Sequence, residues 1–234
     1  MSPSQRPPAN RLLAGLPAKV RAQLLAKCEA VELSFPDTVA KPGERMPYVY
    51  FPTASFISLV TPMGGKASLE VALAGSEGMY GIPVALGVGI SAQHARVQGS
   101  GPAWRMGAAA FRRELARSPA LRRTVDRYVY VLMSQLAQAA GCNRFHFVEQ
   151  RLARWLLMTG DRAHSAAFHV THEFLAYMLG VRRVGITKAA SALQARALIA
   201  YVRGEVEILD RKGLERSSCG CYRADIDTYE RVMG

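Results

Sequence analysis

Cationic and hydroxyl side chains follow a single glycine in the stretch LAYMLGVRRVGITKAASALQ, which covers residues 175–194. An arginine guanidinium can donate two hydrogen bonds to O6 and N7 of guanine, and a valine can contact the methyl group of thymine. Lysine and threonine can reach base edges or phosphate oxygens. In a helix-turn-helix, the side chains of this stretch that point outward toward DNA would be Arg182, Arg183, Val184, Thr187, Lys188 and Ser191.

Gly180 is the predicted turn between the two helices of such a motif. Glycine adopts the left-handed conformation without a Cβ clash, and the small Ala176 lets two helices cross closely. The second helix should start near Arg183 and present its first turns to the major groove. A helical hairpin with a solvated basic face would fit the same pattern. The apolar residues with the spacing of a shared core are Leu175, Leu179, Val181, Ile186 and Ala189.

The segments on either side of the motif extend this prediction. Thr171 is a plausible N-cap for the first helix, and His172 at its start is a candidate phosphate contact. The run AYVRGEVEILD predicts a β-hairpin around Arg203-Gly204, with Arg203 as a further candidate for contacting DNA. His164, His169 and His172 do not have the spacing of a zinc site, so we expect no metal there.

A long amphipathic helix is predicted over residues 120–143. One row of its side chains alternates between spacings of four and three, which is the a/d pattern of a helix that pairs with a second helix. The alternative is that this row packs on the chain's own β domain, although Val129 and Leu136 offer a second stripe for that contact. The predicted dimer seam comprises Leu121, Val125, Tyr128, Leu132, Gln135, Ala139 and Cys142.

The rest of the chain predicts an α+β fold. Short apolar runs separated by turn residues over residues 31–106 indicate an antiparallel β-roll of the jelly-roll type. Further helices are expected at 12–28, 109–118 and 147–160. The predicted domains are a sensor β-roll over 1–118, the long helix over 119–146, and a winged helix-turn-helix over 147–234.

Composition favours an acidic partner and a reducing compartment. The formal net charge is +12 with a pI near 10.0, which suits polyanions such as nucleic acid. Four cysteines form no disulfide framework in a chain of 234 residues, so a cytoplasmic location is expected. No secretory signal, no apolar run of membrane-spanning length and no catalytic motif is visible. We therefore expect no enzyme activity, no cofactor and no membrane partner.

The order of these elements resembles the Crp/Fnr superfamily of bacterial transcription regulators. The resemblance covers residues 12–222 and is carried by YVYFPTASFISLV, EVALAGSEGMYGIPVALG, THEFLAYMLGVRR and ALIAYVRGEVEILDRKGLERSSCGCY. It implies a cytoplasmic homodimer on double-stranded DNA, with RNA polymerase as a further partner. It also implies a β-roll similar to a cyclic-nucleotide-binding domain. Palindromic half-sites would lie about one helical turn, roughly 10 bp, apart.

The sequence departs from the nucleotide-binding members of this superfamily. Those members carry a Gly-Glu pair for the ribose and an Arg-Ser pair for the phosphate, whereas Met79 stands here in place of the glutamate and no arginine precedes Ser91-Ala92. Gln138-Ala139 replaces a Thr-Ser pair of the long helix, and Val184 replaces a glutamate of the recognition helix. We expect that cyclic AMP is not the ligand and that the operator differs. The alternative is a cyclic-nucleotide-responsive regulator with a divergent pocket, and the candidate pocket residues are Met79, Tyr80, Gly81, Ser91 and Ala92.

The Cys219-Cys221 pair, Cys142 and a group of arginines each allow two interpretations. Cys219-Gly220-Cys221 is either a redox or metal pair or a packed tail, and Cys142 either pairs across the dimer or packs as an apolar residue. A group of arginines is either a solvated face or a contact for RNA polymerase or flanking DNA. That group comprises Arg112, Arg113, Arg117, Arg122, Arg123 and Arg127.

Overall fold

The computed structural model describes residues 10–64 and 68–234. The chain divides into two compact units. The first contains the described residues up to Leu59, together with Ala72–Leu132 and Arg231–Gly234; the second contains the described part of Val60–Val71 and Met133–Glu230. Helices and antiparallel strands occur together, which confirms the predicted α+β class.

The elements of the N-terminal half alternate short helices with strands. The predicted helix over 12–28 is interrupted, because Pro17 has no backbone N–H to continue the helix and instead precedes a second one. In chain order the elements are α1 Arg11–Ala14, α2 Ala18–Leu25, β1 Glu29–Leu33, β2 Thr38–Ala40, β3 Tyr48–Pro52, β4 Phe56–Pro62, β5 Ser68–Ala74, α3 Ile82–Ala85, β6 His94–Gly99, β7 Gly101–Gly107, α4 Ala108–Arg117 and α5 Pro119–Phe145.

Two antiparallel sheets form the β part of this half. One has the order β1-β7-β3, and the other has the order β2-β6-β4-β5. In β3 the side chains of Val49 and Phe51 are buried while those of Tyr48 and Tyr50 are partly exposed, so the strand follows the two-residue period of a half-buried sheet. The Phe51 ring packs edge-on against Phe111 of α4.

The long helix α5 buries four of the seven side chains that the sequence assigns to a dimer seam. Leu121, Val125 and Tyr128 are almost completely buried within the chain itself. Tyr128 packs so closely on Gly78 that a Cβ there would lie 2.0 Å from the tyrosine hydroxyl oxygen. Cys142 is also buried within the chain. The predicted seam is therefore wrong for these four residues, because a side chain that its own chain covers cannot face a second copy.

The rest of α5 has its exposed apolar residues on another face. Leu132, Gln135 and Ala139 of the predicted seam are partly buried. The exposed apolar side chains of α5 between residues 130 and 140 are Tyr130, Met133, Leu136, Ala137 and Ala140.

The C-terminal half contains the predicted helices and hairpin, along with elements that the sequence did not indicate. A third strand and two C-terminal helices belong to this second group. The elements are α6 Val148–Ala163, β8 Ala167–His169, α7 His172–Leu179, α8 Arg183–Ala195, β9 Ile199–Val202, β10 Glu205–Ile208, α9 Arg211–Ser217 and α10 Cys221–Met233. The core of the second unit includes Leu152, Leu156, Leu175, Ile186, Leu193 and Leu214.

None of the helices in the described ranges combines the length and apolarity needed to cross a membrane.

Candidate nucleic-acid interface

The helices α7 and α8 are joined by the predicted glycine turn. Thr171 caps α7, since its hydroxyl accepts a hydrogen bond from the Phe174 backbone N–H at 3.1 Å. Gly180 ends α7 with φ 63° and ψ 38°, and its N–H donates to the carbonyl of Ala176. The left-handed conformation turns the chain so that α8 begins at Arg183, as the sequence predicted.

The helix α8 has a buried and an exposed face. Ile186, Ala189 and Leu193 lie in the core of the second unit. Val184, in contrast, is 58 % exposed, although apolar residues of a packed helix usually lie on its core side. The six side chains that the sequence assigned to the outer surface are all exposed: Arg182, Arg183, Val184, Thr187, Lys188 and Ser191.

The imidazole of His172 is used within the protein. Its Nδ1 lies 3.1 Å from the hydroxyl oxygen of Thr187, its Nε2 is buried, and its ring lies 4.5 Å from the ring of Tyr201. Burial, and secondly the charge of Arg183, lower the pKa of His172, which favours the neutral ring. This contact orients the hydroxyl of Thr187, and the phosphate contact of His172 stays a prediction.

The predicted wing forms beside the motif. The strands β9 and β10 are antiparallel, and the turn between them consists of Arg203 and Gly204, with φ 52° and 88°. Two consecutive left-handed residues are typical of the tight hairpin turn that matches strand twist. The third strand, β8, pairs with the other edge of β10, and Arg203 is exposed at the tip.

The candidate sensor residues lie in the first unit and offer no charge. Met79 and Tyr80 are buried, Gly81 precedes α3, and Ala92 is exposed. The hydroxyl of Ser91 is buried and donates to a nearby backbone carbonyl at 2.7 Å. A ribose hydroxyl donates to a carboxylate far more strongly than to a thioether, so Met79 is a poor replacement for a ribose-binding glutamate.

One group of metal-ligating side chains is brought together in the second unit. The Sγ atoms of Cys142 and Cys219 lie 3.5 Å apart, and Sγ of Cys221 lies 3.5 Å from Nδ1 of His146. The hydrogen bond from Cys219, together with His146 and Arg154, lowers the pKa of Cys142. The hydrogen bond with Cys142, together with burial, raises the pKa of Cys219. The sequence indicated a possible Cys219–Cys221 pair but treated Cys142 apart from it and missed His146, which lies four residues after Cys142 at helical spacing.

Comparisons with known proteins agree with this architecture. Residues 150–217 match the model of the Crp-like helix-turn-helix domain. None of the curated proteins compared with the chain matches it in sequence. A structure described as a Crp/Fnr-family transcriptional regulator from Eubacterium rectale has 15 % identity and a TM-score of 0.69, with coverage of 91 % of this chain and 97 % of that one.

Two further solved structures are similar. The c-di-GMP responsive global regulator of Xanthomonas campestris has 15 % identity and a TM-score of 0.67, over 82 % of this chain and 99 % of that one. A CRP-family transcriptional regulator from Thermus thermophilus has 18 % identity and a TM-score of 0.67, over 80 % and 96 %. At these identities the structures show a common fold, and the domain match identifies the helix-turn-helix.

Replacing two glycines of the motif with alanine should change the free energy of unfolding in opposite directions. Gly180→Ala should lower the free energy of unfolding by about 1–2 kcal/mol, because a Cβ is strained at positive φ. Gly185 lies inside α8, where a Cβ would meet only Cγ1 of Val148 at an ordinary contact distance of 4.0 Å, so Gly185→Ala should raise that free energy by about 0.5–1 kcal/mol. Urea unfolding followed by circular dichroism measures both. An equal response of the two variants would contradict the turn.

Proposed function

We propose that this chain, a Crp/Fnr-type transcription regulator with a helix-turn-helix DNA-binding domain, binds a palindromic operator as a homodimer. The observation that carries the proposal is the exposed row on the first turns of α8, where Arg183, Val184 and Thr187 stand opposite the buried face. A helix in this position presents its N-terminal side chains to base edges in the major groove. The net charge of +12 adds a sequence-independent attraction to phosphates.

Each exposed side chain of the interface has a distinct proposed role. Arg183 and Arg182 donate to guanine, and Val184 contacts a thymine methyl. Thr187 is held by His172 and by its own hydrogen bond to the Arg183 carbonyl at 3.2 Å, so its hydroxyl has a fixed position. The side chains of Lys188, Ser191 and Arg203, together with the N-cap Thr171, contact the phosphate backbone.

We place the homodimer contact on the exposed face of α5. Tyr130, Met133, Ala137 and Ala140 follow one another at spacings of three, four and three, which is the pattern of a helix-pairing seam. Leu136 lies beside this row and is also exposed. A second copy of the same helix would cover these apolar side chains, and its two-fold symmetry would match a palindrome.

We also propose that the sensor β-roll does not bind cyclic AMP. Buried Met79 supplies no acceptor for a ribose hydroxyl, and Gln138 of α5 donates its amide to Sγ of Cys221 at 2.9 Å. We further propose that the protein acts in the cytoplasm. It would contact RNA polymerase through exposed arginines such as Arg113, Arg117 and Arg123.

Selection of random duplex DNA by the purified chain tests the function. At about 150 mM salt, we expect enrichment of a palindrome whose half-sites lie about 10 bp apart, with and without cyclic AMP. Enrichment that depends on the nucleotide would overturn the proposal for the sensor. Failure to enrich any sequence would argue against a sequence-specific regulator.

Arg183→Ala should weaken binding to the selected operator by about 1–3 kcal/mol and relax specificity at one base position. Arg223→Ala is the matched control, because Arg223 lies on α10, is largely exposed and pairs with Asp227. Fluorescence anisotropy with the operator and with single-base variants measures the effect. A uniform loss over all sequences would instead make Arg183 a phosphate contact.

Met133→Glu should shift the chain from dimer to monomer, since a carboxylate would be buried in the proposed seam. Val88→Glu introduces the same charge at a matched exposure of 63 % against 64 % and should leave the dimer intact. Sedimentation equilibrium distinguishes the two states. A dimeric Met133→Glu variant would place the subunit contact elsewhere.

A further inference from the structure

Three cysteines and one histidine converge in the second unit, and none of them belongs to the α7–α8 motif. Cys142 and His146 lie on the last turn of α5 and directly after it, where the His146 N–H still donates to the Cys142 carbonyl. Cys219 and Cys221 flank Gly220 at the start of α10. The four potential ligand atoms, three sulfurs and one ring nitrogen, all lie within 4.8 Å of one another.

The burial of these thiols differs from ordinary core packing. Cys142, Cys219 and Cys221 are nearly inaccessible, yet they form a cluster of their own, separate from the hydrophobic core that contains Leu152 and Leu156. Cysteines that serve as small apolar residues usually merge with the core. Here the sulfurs face one another and an imidazole.

The distances suit one tetrahedral ion. With Zn–S of about 2.3 Å and Zn–N of about 2.0 Å, ligand atoms at the corners of a tetrahedron lie roughly 3.5–3.8 Å apart. The Cys142–Cys219 and Cys221–His146 separations are both 3.5 Å. A [4Fe–4S] cluster would need wider spacing, because there each thiolate binds a different iron. Three soft thiolates and an imidazole favour Zn²⁺ over ions that prefer oxygen.

The surroundings match the charge of such a site. A divalent ion with three thiolates and a neutral imidazole has a net charge of −1, and Arg151 and Arg154 of α6 both interact electrostatically with Cys142. Arg154 is held by Asp225 at 2.6 Å. The amide of Gln138 donates to Sγ of Cys221 at 2.9 Å, and donors of this kind orient thiolate ligands.

We propose that Cys142, His146, Cys219 and Cys221 bind one Zn²⁺ ion through three thiolates and one imidazole nitrogen. Binding displaces the thiol protons to solvent and leaves the ion with no open position, which is the arrangement of a structural site. The ion joins the end of α5 to the start of α10 and stabilises the second unit. None of the four ligands is among the residues proposed to contact DNA.

Metal analysis of the full-length chain tests the proposal without DNA. The protein is isolated from zinc-supplemented cells under reducing, chelator-free conditions, and elemental analysis should find one zinc per chain. After metal removal, anaerobic titration with Co²⁺ should give thiolate-to-cobalt charge transfer and the intense visible bands of tetrahedral cobalt. Absence of zinc together with failure to bind Co²⁺ would overturn the proposal, as would a Cys142–Cys219 disulfide that persists under these reducing conditions.

Variants identify the ligands. Cys219→Ser and His146→Asn should lose stoichiometric zinc, whereas Cys28→Ser should retain it. Cys28 lies outside the cluster, and burial raises its pKa to about 11. Gln138→Ala keeps all four ligands and should weaken zinc affinity about 10–100-fold, measured by competition with a chromophoric chelator. Retention of full zinc by Cys219→Ser would refute the ligand set, and circular dichroism verifies that each variant is folded.

Discussion

The packing of one face of α8 against the core of the second unit is the constraint on which the interface depends. Ile186 and Leu193 are fully buried, and this fixes the rotation of the helix about its axis. Because an α-helix repeats every 3.6 residues, the side chains of Arg183, Thr187 and Ser191 must then face outward. The cationic row is therefore a consequence of apolar packing, with the turn at Gly180 setting where that row begins.

Local chemistry explains why the motif could be predicted from sequence. A threonine N-cap, a left-handed glycine and a two-residue hairpin turn each act over a few residues, so their signals are visible in the chain. The structure confirms all three, at Thr171, Gly180 and Arg203-Gly204. The strand β8 was missed because three residues bounded by exposed positions carry no periodic signal; only its pairing with β10 defines it.

The long helix shows where such reasoning fails. Both faces of α5 carry apolar side chains, so periodicity alone does not indicate which face is buried. Which face is buried depends on residues far away in the sequence. Gly78 leaves room for the Tyr128 ring, and burying Tyr128 leaves Met133, on another face of the helix, exposed. The pattern of apolar residues in α5 does not reveal this contact, because it joins positions far apart in the chain. The same limit applies to Cys142 and Cys219, which are separated by 77 positions.

The helix α6 connects the cysteine cluster with the DNA interface inside the second unit. Arg154 on α6 interacts with the charge of Cys142 and pairs with Asp225, while Leu152 and Leu156 on the same helix pack in the core with α8. A change in the charge of the cluster thus acts on a partly buried guanidinium, for which an unbalanced charge is costly. Because Leu152 and Leu156 of α6 pack in one core with α8, a Zn²⁺ ion at the proposed site would stabilise the helix against which the recognition helix packs.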